Sequence, residues 1–163
     1  MTSFNIQGLK TFPLKTFIDN RGSLTKCIPP FIPQDFFYTI SRKHVLRGMH
    51  LQNTKNQNDK FIFLSSGKIL DVIIDLRPHS PTYKNIQDFE LDSKNPMGIL
   101  IPTGCAHGFL SLSDESQLNY YQEKIYDVSA DTGIHFQSFA YPWPKVIMQL
   151  SDRDKALPPL KDI

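Results

Sequence analysis

The chain has 163 residues, 18 Lys and Arg against 16 Asp and Glu, a net charge of +2 and 40% hydrophobic residues. That length suits one domain over residues 1–163, large enough to bury a real core. The near-neutral balance gives no case for nucleic acid or an anionic membrane surface, and no apolar run approaches the roughly 20 residues of a membrane span.

The N-terminus lacks a basic segment followed by an apolar stretch, so secretion is not expected. Cys27 and Cys105 form no ligand-spaced pair, and free thiols in a reducing cytoplasm are the simpler expectation. The 12 prolines and 12 phenylalanines favour short strands and turns over long helices.

Residues 29–33, with three prolines, exclude a helix. Residues 45–52 read as a strand carrying Arg47 and His50. Two further strands, 60–64 and 68–76, are separated by Ser65-Ser66-Gly67, which predicts a hairpin with a glycine turn. Alternation in the second of these puts Leu70, Val72 and Ile74 on one face and Asp71, Ile73 and Asp75 on the other. Residues 77–82 form a loop by their prolines. Short strands follow at 89–91, 98–101, 109–112, 118–122 and 134–136. His107 stands beside Gly108, as His50 stands near Gly48, so two histidines on separate strands suggest a pocket inside a β-barrel. A helical turn is predicted over 152–156, ended by Pro158-Pro159. Almost nothing has a 3.6-residue period, so the predicted fold is all-β: an antiparallel jelly roll or β-sandwich with few short helices.

The motifs come in a definite order. Phe17-Ile18-Asp19-Asn20-Arg21-Gly22 precedes Leu46-Arg47-Gly48-Met49-His50; then come Asp71 to Asp75 with Arg77 and Ser80-Pro81-Thr82, Ile101-Pro102 with His107-Gly108-Phe109, Trp143-Pro144, and Leu150-Ser151-Asp152-Arg153-Asp154. This order resembles the dTDP-4-dehydrorhamnose 3,5-epimerase family, from about residue 17 to residue 158. The resemblance implies a cupin-type jelly roll, and an isomerase that works without metal or cofactor in deoxysugar and surface polysaccharide (O-antigen) synthesis. It implies that His50 is the base, Asp154 its orienting carboxylate, Lys60 the stabiliser of an enolate oxygen and Tyr120 the acid on the opposite face. Arg47, His107, Gln52 and Tyr126 would bind the substrate, a nucleotide diphosphate sugar, with Arg47 near a phosphate. Asp19 and Arg21 fall in the family's N-terminal nucleotide-binding segment. A homodimer with exchanged N-terminal strands is implied too, in which Asp19 and Arg21 serve the neighbouring pocket. The sequence departs from the family between Gly22 and Val45. This segment is shorter than usual, and Lys26, Asp35 and Phe37 stand where glutamate, glutamine and asparagine are frequent. The nucleotide is therefore open, as is the choice of C3, C5 or both for inversion.

These residue types suit proton transfer beside a ketone. Such a carbon acid has a pKa on the order of 20 against about 6.5 for imidazole, a gap of roughly 18 kcal/mol. A cation such as Lys60 in a dry site offsets several kcal/mol of it. A carboxylate such as Asp154 fixes the base's tautomer, and a phenol such as Tyr120 is a neutral acid at pH 7. Tyr121 is the rival for Tyr120, and strand alternation lets only one of them face a pocket. Asp152 similarly competes with Asp154. His44, His79 and His135 read as surface residues, Cys105 as a small core filler and Trp143 as packing. A metal-dependent cupin would need a His-x-His pair, which His50-Leu51-Gln52 lacks. A non-catalytic sugar- or nucleotide-binding cupin would not require an opposed base and acid. A sugar-nucleotide 3,4-ketoisomerase would share the enolate and differ in where the proton returns.

Overall fold

The computed structural model describes residues 4–53 and 57–162. One five-stranded sheet runs, edge to edge, through β1 (Lys10–Pro13), β9 (Met97–Ile101), β6 (Lys60–Ser66), β11 (Glu115–Gln122) and β4 (Asp35–Arg42). The facing sheet runs through β12 (Asp131–Gly133), β5 (Leu46–Gln52), β10 (Cys105–Ser111), β7 (Lys68–Asp75) and β8 (Ile86–Asp92). A separate hairpin pairs β2 (Lys15–Asp19) with β3 (Gly22–Lys26). Every strand pairing is antiparallel. The fold is the cupin-type jelly roll that the short, evenly spaced apolar runs predict.

The period of two places the cores. Ile69 and Ile73 of β7, with Phe109 of the neighbouring β10, face the opposite sheet, where they join Ile62, Ile99 and Leu118 in one cluster. Val72 and Ile74 of the same strand point the other way, against Leu46, Met49 and Leu110. That outer face is covered by the C-terminal segment, with Phe136, Tyr141 and Trp143 packed on it. β7 is therefore buried on both faces, which is why its sequence is nearly continuous in aliphatic residues. Each such side chain contributes about 1.5–3 kcal/mol by leaving water. Trp143 packs as expected: its ring stands edge-on to Phe136 and its indole N–H donates to the Phe136 carbonyl.

Two expectations fail. β6 and β7 are not a hairpin. β6 pairs with β9 and β11, whereas β7 pairs with β8 and β10, so the chain steps from one sheet to the other between them. Gly67 makes the step at φ +82°, and a Cβ there would lie 2.3 Å from the Glu115 carbonyl oxygen. A tight glycine turn is common to a hairpin and to a sheet crossing, and local pattern alone does not separate them. The strand expected at 134–136 lies earlier, at β12, though Ile134 still exchanges backbone hydrogen bonds with Met49. β4 is an addition that the reading passed over. Phe36, Tyr38 and Ile40 lie exposed on its outer face, while Asp35, Phe37 and Thr39 turn toward the cavity described below.

The predicted C-terminal turn is a short helix, α1 (Asp152–Lys155). Ser151 caps it in extended conformation, and its hydroxyl accepts from the Asp154 N–H at 3.1 Å. The cap fixes the direction in which Asp154 points. Among the described residues no helix is long and apolar enough to cross a membrane.

Candidate active site

A cavity of about 520 Å³ opens within the jelly roll. β4, β5, β6, β10 and β11 line it, together with Tyr126, Asp131, Ser151, Arg153 and Asp154. Its volume falls in the range of small-molecule sites.

His50 and His107 are register partners on β5 and β10. The strands approach closely because glycines face each other: a Cβ on Gly48 would lie 2.5 Å from the Gly108 Cα. His50 Nε2 lies 2.7 Å from Asp154 Oδ1, a contact spanning 104 residues of chain. Asp154 is buried, and the Gly48 N–H approaches its other oxygen at 3.5 Å. Burial works to raise the Asp154 carboxyl, but the His50 ring beside it holds the pKa below its ordinary value. The carboxylate thus occupies the Nε2 side of His50, and among the described residues Nδ1 has no partner. The competitor Asp152 is exposed and pairs with Lys155 instead.

His107 repeats the arrangement with a different carboxylate. Its Nε2 lies 2.6 Å from Asp71 Oδ2, and both side chains are buried. Burial pulls the His107 pKa below its ordinary value, while Asp71 works to raise it. The sequence reading did not single out Asp71 as a site residue. Its signal was a carboxylate on the inward face of an apolar strand, between Ile69 and Ile73.

Lys60 opens β6 and lines the cavity. Burial lowers its pKa, and the charges of Asp131 and Asp71 pull it back upward. Tyr120 faces the cavity and is buried, and burial pushes its phenol above the ordinary value, with the Thr39 hydroxyl opposing. Tyr121 lies on the other face, packed against Phe36 and Phe63, as the alternation requires.

Arg47 reaches the cavity from β5; its Nε donates to Ser41 Oγ at 2.9 Å and Nη2 to the Ile40 carbonyl at 3.3 Å. Gln52 lines the cavity and its Oε1 accepts the Asp127 N–H. Tyr126 lines it too: its hydroxyl donates to Asp131, and its N–H donates to Asp35 at 3.1 Å. Arg153 binds the same Asp131 carboxylate and was also passed over in the sequence, although it adjoins Asp154. Asp19 and Arg21 are the exception. They pair with each other at 2.6 Å at the tip of the β2–β3 hairpin and do not line this chain's cavity. Cys105 is buried in the core, which pushes its thiol up to about 12, consistent with a filler. Among the described residues no three His, Cys, Asp or Glu side chains converge as a metal-binding group.

The family described as dTDP-4-dehydrorhamnose 3,5-epimerase matches residues 3–162. The chain belongs to that family. A dTDP-4-dehydrorhamnose 3,5-epimerase of Methanothermobacter thermautotrophicus is 36% identical over 129 residues, covering 76% of this chain and 69% of the relative. Among solved structures, the Bacillus anthracis dTDP-4-dehydrorhamnose 3,5-epimerase with TDP and PPi bound has a TM-score of 0.90 at 30% identity, covering 96% of this chain and 97% of that one. A Legionella pneumophila 3,5-epimerase in complex with dTDP-4-keto-L-rhamnose has a TM-score of 0.86 at 28% identity, covering 94% and 88%. The chain is accordingly an isomerase, of the sugar epimerase kind that the order of motifs implied.

Proposed function

We propose that the cavity takes a nucleotide-linked 4-keto-6-deoxy sugar and inverts C3, C5 or both, without metal or cofactor. His50 removes the proton next to the C4 ketone, and Asp154 steadies the imidazolium that forms. The electron pair moves onto the ketone oxygen, where the Lys60 ammonium stabilises the enolate. Tyr120 returns a proton to the opposite face of the same carbon, and solvent resets both groups. His107, held by Asp71, forms part of the wall around the reacting sugar. Arg47 supplies a guanidinium for a phosphate, and Gln52 and Tyr126 supply polar contacts to the rest of the ligand.

The observation that carries this reading is that His50 with Asp154, Lys60 and Tyr120 line one cavity, though they come from β5, α1, β6 and β11. TDP bound to the Bacillus anthracis relative, and dTDP-4-keto-L-rhamnose bound to the Legionella pneumophila relative, support the ligand class. The product would feed deoxysugar and O-antigen synthesis in the cytoplasm.

The functional unit in this reading is a homodimer. The β2–β3 hairpin exposes Phe17, Ile18 and Leu24, with Ile18 82% exposed, and β4 exposes Phe36, Tyr38 and Ile40 beside it in sequence. Apolar surface of this kind suits an interface with a second copy. Exchange of the hairpin would carry Asp19 and Arg21 to the partner's cavity.

Proton NMR with dTDP-4-keto-6-deoxyglucose in D2O tests the assignment. Enzyme-dependent loss of the C3 signal, the C5 signal or both is expected and names the centres. No exchange with this or with GDP-, CDP- or UDP-linked 4-keto sugars would overturn it.

A further inference from the structure

Phe37 lies directly opposite Tyr120 in the β4–β11 pairing. Their rings stack with centroids 4.6 Å apart and 13° between the planes. The next pair along the same two strands, Phe36 and Tyr121, is on the other face of the sheet and tilted at 37°. Tyr120 is buried, whereas Phe37 is 36% exposed and lines the cavity. The Tyr120 ring therefore has Phe37 along its face and the His107 ring near edge-on at 6.1 Å. A tyrosine has two side-chain torsions, and the aim of its hydroxyl follows from the plane and tilt of the ring. A partner stacked along that plane limits both.

We propose that Phe37 is the positioning residue for Tyr120: it holds the phenol where it can deliver a proton to the face opposite His50. The inference rests on the epimerase reading above. His50 breaks the C–H bond and keeps that proton as imidazolium, while the electron pair becomes the enolate. Two returns are then open. The imidazolium, after exchange with solvent, can give a deuteron back to the same face, which labels the carbon and retains configuration. Alternatively the Tyr120 hydroxyl gives its deuteron to the other face, which labels and inverts, leaving tyrosinate to be reprotonated from solvent. Phe37 acts on the second route, because its ring stacks on Tyr120, while the His50–Asp154 pair is held separately on β5 and α1.

The decisive quantity is the ratio of inverted to retained deuterated product in D2O, read by proton NMR. In Phe37→Ala and Phe37→Leu that ratio should fall about tenfold, while same-face exchange continues; Phe37→Tyr, which keeps the ring, should stay within about twofold of wild type. Phe36→Ala, on the outer face, should leave the ratio unchanged. A misfolded fraction lowers both routes together and leaves the ratio intact, so the readout separates positioning from stability. An unchanged ratio in both Phe37→Ala and Phe37→Leu overturns the inference and leaves the epimerase reading standing. A wild-type protein that exchanges no proton with any of the 4-keto sugars overturns both.

Discussion

His50 and His107 face each other across adjacent strands, and each ring is held by a different carboxylate. Asp154 reaches His50 from a capped helical turn near the C-terminus, and Asp71 reaches His107 from the middle of β7. Two imidazoles in equivalent backbone settings thus receive different environments. His50 is partly open, with 28% of its side chain exposed, whereas the His107 side chain is 3% exposed. In the proposed reading the open one meets the substrate and the closed one forms part of the wall.

That asymmetry sets the first prediction. His50→Ala and Asp154→Asn should each lower turnover by about 10²–10⁴-fold. His50→Ala should keep the far-UV circular dichroism of the wild type. Tyr120→Phe should lose inversion and keep same-face exchange, while Tyr121→Phe should behave as wild type. Wild-type activity in His50→Ala would remove it as the base.

Lys60 gives a pH signature. In the proposed mechanism it acts as a cation, and burial holds its pKa below the ordinary 10.5. Activity should therefore fall as pH rises through a value below 10.5. Burial moves the Tyr120 phenol the other way, above 10. Lys60→Gln should cost about 10²–10³-fold and abolish the limb in kcat/KM. A basic limb that persists unchanged in Lys60→Gln would assign it to another group.

Stability at low pH should depend on Asp75. Burial works to raise this carboxyl, but Arg77, Ser80 and Thr82 hold it well below 3.8. A depressed carboxylate adds stability that is complete above its unfolded pKa and is lost as pH falls through 3.8 toward the folded value. Asp75→Asn should lose about 3 kcal/mol at pH 7, and its deficit against wild type should shrink below pH 3.8. Urea midpoints across pH measure this. A deficit independent of pH would mean that shape, and not charge, is what Asp75 supplies.

The dimer is testable by sedimentation. Wild type should run at about twice its 18.7 kDa chain mass. Ile18→Glu should dissociate it, because a charge would then sit in an apolar interface. A wild-type protein at the mass of one chain would remove the dimer.

Exhaustive chelation should leave turnover unchanged. A loss restored by one divalent metal would instead favour a metal-dependent cupin.

Features that depend on local period and on the order of motifs were legible in the residues alone. Alternation in β11 let only one of Tyr120 and Tyr121 face the cavity, because a strand turns successive side chains to opposite faces whatever surrounds it, and the resemblance pointed to Tyr120. Alternation in β7 likewise put Asp71 on one face with Ile73, without naming His107 as its partner. The motif order was enough to mark the family. The folded structure settles which strands pair, since Gly67 permits a hairpin or a crossing equally, and the non-local ladders of β6 and β7 select the crossing. It alone brought Arg153 and Asp131 to the cavity, left Asp19 and Arg21 outside it, and laid Phe37 along Tyr120. Those contacts join residues tens of positions apart, and no sequence spacing encodes a distance that folding has yet to close.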